Sequence, residues 1–176
     1  HAADGRGTRF PGLVPNPSIT SPEFLQLASD DFLFQTIRNG RPGRPMLPWG
    51  DRVNGFNDEE IRAVIAYIRW LGGNIQAQPD SKAQLWARGD ASYGATLFTS
   101  NCAGCHGKNG VGADGPALNN KMFLSSVSDT FLVGTITRGR SGTVMQGFGD
   151  PSPIRRALTQ AEVESIVVYI RSLGAK

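Results

Sequence analysis

Cys102-Ala103-Gly104-Cys105-His106 gathers the only two cysteines of the chain and one of its two histidines into five consecutive positions. This C-x-x-C-H spacing is that of a c-type haem attachment site. The two thiols add across the vinyl groups of the porphyrin, and the adjacent imidazole reaches the iron. The same run also suits half a zinc site, a redox dithiol or an incidental pair of buried cysteines. Structural zinc asks for about four N/S ligands, and beyond this run the chain offers only His1. A thioredoxin-like dithiol wants a C-x-x-C near a β-α-β pattern, and no such alternation is visible. The residues favour covalent haem.

The bulk of the chain narrows the field. At 176 residues it is long for one average domain and comfortable for two small ones. Its net charge of +3 is spread along the sequence, and no basic tract points to nucleic acid. A faint basic bias suits acidic redox partners. The best apolar run, Ile166–Ile170, falls far short of the ~20 residues a membrane-spanning helix needs. No secretory leader opens the sequence, which fits a mature, cleaved form or a piece of something longer. With 22 glycines and 11 prolines, much of the chain is loop.

An internal repeat sets the architecture. Ile37-Arg38-Asn39-Gly40-Arg41-Pro42-Gly43-Arg44-Pro45-Met46 lies over Ile136-Thr137-Arg138-Gly139-Arg140-Ser141-Gly142-Thr143-Val144-Met145, matching Ile, Gly, Arg, Gly and Met in turn. At the same offset Gly50-Asp51 falls on Gly149-Asp150, Pro17 on Pro116 and Phe24 on Phe123. After a shift of three residues Tyr67-Ile68-Arg69 falls on Tyr169-Ile170-Arg171, and Leu71-Gly72 on Leu173-Gly174. The chain reads as two copies of one unit, residues 1–73 and 85–176, joined by a polar, aperiodic linker over 74–84.

Each copy closes with a helix. Asn57 and Thr159 each precede a Glu by three positions, the pattern of a capping box. Apolar stripes follow, Ile61, Val64, Ile65, Ile68, Leu71 and Val163, Ile166, Val167, Ile170, Leu173, and Gly72 and Gly174 end them. Further helices are expected over Asp30–Asn39, Ser128–Arg138 and Asp90–Ser100, the last running into Cys102. No stretch alternates as a strand does, so the expected fold class is all-α.

The second copy resembles a small class I cytochrome c over its whole length. The residues that carry the likeness are Gly94, Leu97 and Phe98, then Cys102 to Gly107, Gly110 and Gly112, Gly115-Pro116-Ala117-Leu118, Met145 and the Tyr169-Ile170-Arg171-x-Leu173 helix. The resemblance implies an all-α fold whose N- and C-terminal helices cross at Gly94. It implies His106 and Met145 as axial iron ligands, with the Pro116 carbonyl orienting the other imidazole nitrogen, as such ligands usually require. Met145 sits in a Gly-rich loop and coincides with Met46 under the repeat, which sets it apart from a core-filling methionine. Met122 falls opposite Glu23 and reads as core. Arg38 and Arg138 are candidates for haem propionates, with solvent-facing arginines as the plain alternative. Trp49 and Phe148 also coincide and read as haem-pocket lining.

The first copy lacks a C-x-x-C. His1-Ala2-Ala3-Asp4-Gly5-Arg6-Gly7 lies over His106–Gly112 with both glycines aligned, and the first copy carries an insertion near Thr8–Leu13 before Pro17. His1 thus stands where a haem-ligating histidine would, with Pro17 in the place of Pro116. Either a C-x-x-C and a leading helix lie upstream and a second haem c is held between His1 and Met46, or this copy is a haem-free relic. An unfilled pocket costs stability at about 20 cal/mol or more per Å³, and nothing in the sequence fills it. The dihaem reading is favoured.

Histidine–methionine ligation closes both axial positions and raises the reduction potential. The function expected is single-electron transfer between redox partners, as a soluble carrier or as a subunit of a respiratory or photosynthetic complex. The rival is a dihaem oxidoreductase such as a peroxidase or thiosulfate dehydrogenase, which needs an open iron or acid–base groups; no paired carboxylates flank either motif. A third reading is a docking subunit that works through its loops at Thr8–Ser21 and Gly149–Arg156. The family implies a periplasmic or otherwise extracytoplasmic location.

Overall fold

Side-chain caps mark where the helices begin. The computed structural model describes residues 1–8, 16–41, 46–50, 55–77 and 84–174. Most of the Thr8–Leu13 insertion, Pro42–Pro45 of the first methionine loop, Asp51 of the repeat match and residues 78–83 of the expected linker lie outside the described residues. The helices are α1 (Pro22–Leu27), α2 (Asp30–Asn39), α3 (Asp58–Leu71), α4 (Ala91–Asn101), α5 (Ala103–His106), α6 (Lys121–Ser126), α7 (Asp129–Arg138) and α8 (Gln160–Leu173), with one 3₁₀ turn at Lys108–Gly110. Among the described residues there is no β-strand, only isolated bridges such as Arg41–Met46 and Gly139–Gln146. The fold is all-α.

Two compact units divide the chain: His1–Pro79 with Arg140–Val144, and Asp80–Gly139 with Met145–Lys176. The repeat read from sequence recurs helix by helix. Helices α1 and α6 have 6 residues each, α2 and α7 have 10, and α3 and α8 have 14. Ser29 Oγ accepts from Phe32 N at the start of α2, as Ser128 Oγ does from Phe131 N at the start of α7. Both capping boxes form, Asn57 with Glu60 and Thr159 with Glu162, satisfying donors the helix itself leaves unpaired. The short helices α1 and α6 are elements that apolar periodicity does not reveal at six residues.

Each closing helix is tied down by its arginine in the same way. In the first unit Arg69 donates from Nε to Asp30 (3.0 Å) and through its terminal nitrogens to the carbonyls of Leu25 (2.7 Å) and Ala28 (2.5 Å). In the second, Arg171 donates to Asp129 (2.9 Å) and to the carbonyls of Leu124 and Val127. The guanidinium thereby occupies carbonyls at the end of the short helix, α1 or α6, that have no partner within it.

Helix α8 crosses α4 in the second unit at very short range. A Cβ on Gly94 would stand 2.0 Å from the Ser165 carbonyl oxygen, so only glycine admits this approach. Phe98, Val163 and Ile166 are almost wholly buried around the crossing, each contributing about 1.5–3 kcal/mol through burial. This crossing fixes the helix that runs into Cys102.

Met122 corrects the sequence reading. It is exposed, because α6 turns Phe123 and Leu124 inward and leaves the preceding position on the outer side.

Candidate haem site

His106 ends the one-turn helix α5, which begins directly after Cys102. The Cys102 carbonyl accepts from the His106 backbone amide at 2.9 Å, so thiols and imidazole share one turn. Cys105 is exposed and Cys102 half-buried, and neither is in a disulfide. Burial pushes the Cys102 thiol up to about 12, and Cys105 adds to the rise. Reactive redox cysteines are shifted the other way, so the surroundings of Cys102 do not activate its thiol.

The His106 side chain is buried, and its Nδ1 lies 2.9 Å from the Pro116 carbonyl oxygen. A carbonyl only accepts, so Nδ1 carries the proton and the lone pair is on Nε2. Gly115 makes room for this contact: a Cβ there would lie 2.9 Å from both Cε1 and Nδ1 of His106. In the sequence Gly115 counts only as part of the run Gly115–Leu118 that carries the resemblance; its clearance for the imidazole comes from the fold.

The first unit repeats the arrangement around His1. His1 Nδ1 lies 2.9 Å from the Pro17 carbonyl oxygen. Gly7 N donates to the His1 carbonyl at 2.8 Å, as Gly112 N does to that of His106 at 2.7 Å. The backbone follows: Gly5 and Gly7 have φ of +69° and +89°, against +67° and +92° for Gly110 and Gly112. Ala2 takes φ +63° where Gly107 takes +75°, a left-handed conformation that a residue with a Cβ adopts at some cost. The same histidine turn is therefore built in both units.

Residues 91–174 match the cytochrome c family. Over 96% of its length the chain is 31% identical to the cbb3-type cytochrome c oxidase subunit FixP of a Bradyrhizobium species. Over 99% it is 30% identical to FixP of Bradyrhizobium diazoefficiens. The chain belongs to the cytochrome c family. It spans 56% and 58% of the length of those two relatives. Among solved structures, cytochrome cL of Methylophaga aminisulfidivorans is 30% identical, covering 47% of this chain and 53% of its own, with a TM-score of 0.40.

This cytochrome offers haem c a consistent donor set: two thiols, an imidazole with its outer nitrogen fixed, and thioether sulfurs in two loops. Met145 and Met46 are both half-buried; Met46 is itself bridged to Arg41, and Met145 directly precedes Gln146, which is bridged to Gly139. Trp49 is half exposed and stacks on Phe56 at 5.6 Å. Phe148 lies beneath the Arg155 guanidinium, 4.0 Å from its ring centroid. Arg38 is already engaged, paired with Asp58 and 5.8 Å from the centre of the Phe34 ring; Arg138 is exposed. Among the described residues no helix is long and apolar enough to cross a membrane.

Proposed function

We propose that this protein relays single electrons through two haem c groups, as an extracytoplasmic subunit or carrier that feeds an oxidase. One haem would be bound through Cys102 and Cys105, with His106 and Met145 as the residues that would hold its iron. The other lies between His1 and Met46, its attachment cysteines in a segment N-terminal to His1. The observation that carries the reading is the duplicated histidine turn, with an imidazole Nδ1 at 2.9 Å from a proline carbonyl in each unit. An isolated terminal histidine has no reason to be held by that bond and by two matching left-handed glycines.

Bound haem would supply a one-electron couple, with His106 and Met145, and His1 and Met46, as the residues that would hold its iron. The chain fixes the imidazole through Pro116 and Pro17, keeps water from His106 by burial, and presents Met145 and Met46 from Gly-rich loops. Such ligation suits transfer rather than catalysis, because no position is left for a substrate. The relatives' description as subunits of a cbb3-type oxidase supports a place beside a terminal oxidase, with a donor on one side and the oxidase on the other. Arg38 and Arg138 are the propionate candidates.

Haem counting tests the reading. The protein expressed with its own upstream coding sequence in a strain that matures c-type cytochromes should carry two covalent haems by mass after denaturation. One haem refutes the relay, and none refutes the haem reading altogether.

A further inference from the structure

Arg38 and Arg138, the propionate candidates read from the sequence, are both exposed. Arg140 is not. It lies shortly before Met145 in sequence, yet the segment Arg140–Val144 packs as part of the first unit. There its guanidinium lies over the ring of Phe24, 4.3 Å from the centroid, and Phe24 belongs to the buried core. A terminal nitrogen of Arg140 donates to the Ser18 carbonyl at 2.6 Å. Ser18 follows Pro17, whose carbonyl meets His1 Nδ1, and its hydroxyl donates to the carbonyl of Gly5 in the His1 turn. The guanidinium is thus one residue removed from the contact that orients His1.

This cation is poorly compensated. Its Nε is buried and has no hydrogen-bond partner among the described residues. Nor does any carboxylate among them pair with it. Its charged neighbour is Arg41, its own counterpart in the first repeat. Burial first, and then the like charge of Arg41, pull Arg140 down to about 10. A buried charge without an opposite charge is costly. A residue that only fastened its loop to Ser18 and Phe24 could be neutral and escape that cost. A guanidinium presents its donors as a planar fork that matches a carboxylate, and Phe24 and Ser18 fix the plane of the fork while Nε stays unspent.

We propose that Arg140 binds a propionate of the haem held between His1 and Met46. The proposal rests on the two-haem reading and deepens it by naming the residue that receives the acidic edge of the first haem. The fit is chemical: an orphaned donor on a buried cation asks for an anionic acceptor, and a propionate is one. The same positive charge favours the reduced iron of that haem.

The test uses the two-haem protein expressed with its upstream coding sequence. Arg140→Gln removes the cation and keeps an amide that can donate to the Ser18 carbonyl. At mildly alkaline pH it should tilt the haem at His1 toward the ferric state by about tenfold, or about 59 mV for one electron. The haem at His106 should move far less, and Met46→Ala tells the two apart because it shifts only the first. The propionate bending band in the resonance Raman spectrum should shift in Arg140→Gln. Arg140→Lys keeps the charge but replaces the fork by a single ammonium, so it should hold the potential near that of the parent and still shift the band. Arg62→Gln, which removes an exposed cation of α3 in the same unit, should change neither. Two haems with an unmoved Raman band in both Arg140 variants overturn the proposal and leave the relay intact. If Arg140→Gln does not fold, an unmoved band in Arg140→Lys overturns it alone. A potential that shifts only at the haem of His106 assigns Arg140 to that haem and also overturns it, as does a potential at the first haem that follows added phosphate in the parent, the mark of a free-anion site. A count of one haem refutes the relay and the propionate site together.

Discussion

His1 Nδ1 lies 2.9 Å from the Pro17 carbonyl oxygen, the same separation that His106 keeps from Pro116. A hydrogen bond from Nδ1 makes the opposite nitrogen a stronger donor to a metal, which favours the ferric state. Gly115→Ala pushes a methyl group to 2.9 Å from the imidazole, displacing the ring or the carbonyl. The reduction potential of the haem at His106 should rise in this variant, read by a spectroelectrochemical titration. An unchanged potential would remove the Pro116 contact from the tuning of the iron.

Gly94 and Gly104 make a matched pair of tests. Both lie in helices, but a Cβ on Gly94 meets the Ser165 carbonyl at 2.0 Å, whereas one on Gly104 meets nothing within 4 Å. Gly94→Ala should destabilise the second unit by about 1–3 kcal/mol, the usual range for overpacking. Gly104→Ala should stay within about 0.5 kcal/mol or gain slightly from helix propensity. Urea unfolding of the holoprotein measures both, and similar costs for the two would contradict the helix crossing.

The two arginine anchors should respond unequally when their carboxylates are changed. The Asp30 side chain is 64% exposed, but that of Asp129 is 3% exposed. Asp129 also accepts from the backbone amides of Trp86 and Ala87. Asp129→Asn should therefore cost about 3 kcal/mol or more, since it unbalances a buried ion pair. Asp30→Asn should cost no more than about 1 kcal/mol, because water screens the pair. Equal losses in chemical denaturation would show that burial does not govern these anchors.

Removing thioethers separates ligand from filler. Met145→Ala should abolish the weak far-red sulfur-to-ferric-iron band of its haem and lower that potential, because methionine ligation raises it. Met46→Ala should do the same for the other haem. Met122→Ala is the control: the side chain is exposed on α6, and its replacement should leave the spectrum intact and stability within about 0.5 kcal/mol. A retained band in Met145→Ala would strike Met145 from the ligands.

Much of this was legible because the repeat doubles every signal. The capping boxes at Asn57 and Thr159, the glycines after α3 and α8, and the helices over Asp30–Asn39 and Asp129–Arg138 follow local rules that act within a few residues. The histidine turns were legible as aligned glycines, Gly5 and Gly7 over Gly110 and Gly112, and the structure gives all four a positive φ. Other features depend on tertiary contacts that composition does not encode. Met122 was misplaced because a lone apolar residue on a six-residue helix carries no period from which a face can be read. The clearance that Gly115 gives the imidazole and the engagement of Arg38 by Asp58 are likewise set by folding.

Glu162 gives a pH signature to the second unit. Hydrogen bonds from Arg156 above all, and then from the Thr159 backbone, hold its carboxyl well below the usual carboxylate range. A folded-state pKa below the unfolded one adds stability that is present above about pH 4.3, the ordinary glutamate value, and is lost as the pH falls further. Glu162→Gln keeps a side chain that suits the capping box but gives up the charge facing Arg156. The variant should be less stable than the parent at neutral pH, and the gap should shrink as the pH drops below about 4. Thermal unfolding across pH 3–7 checks this; a gap that stays constant over that range would assign the role of Glu162 to capping geometry alone.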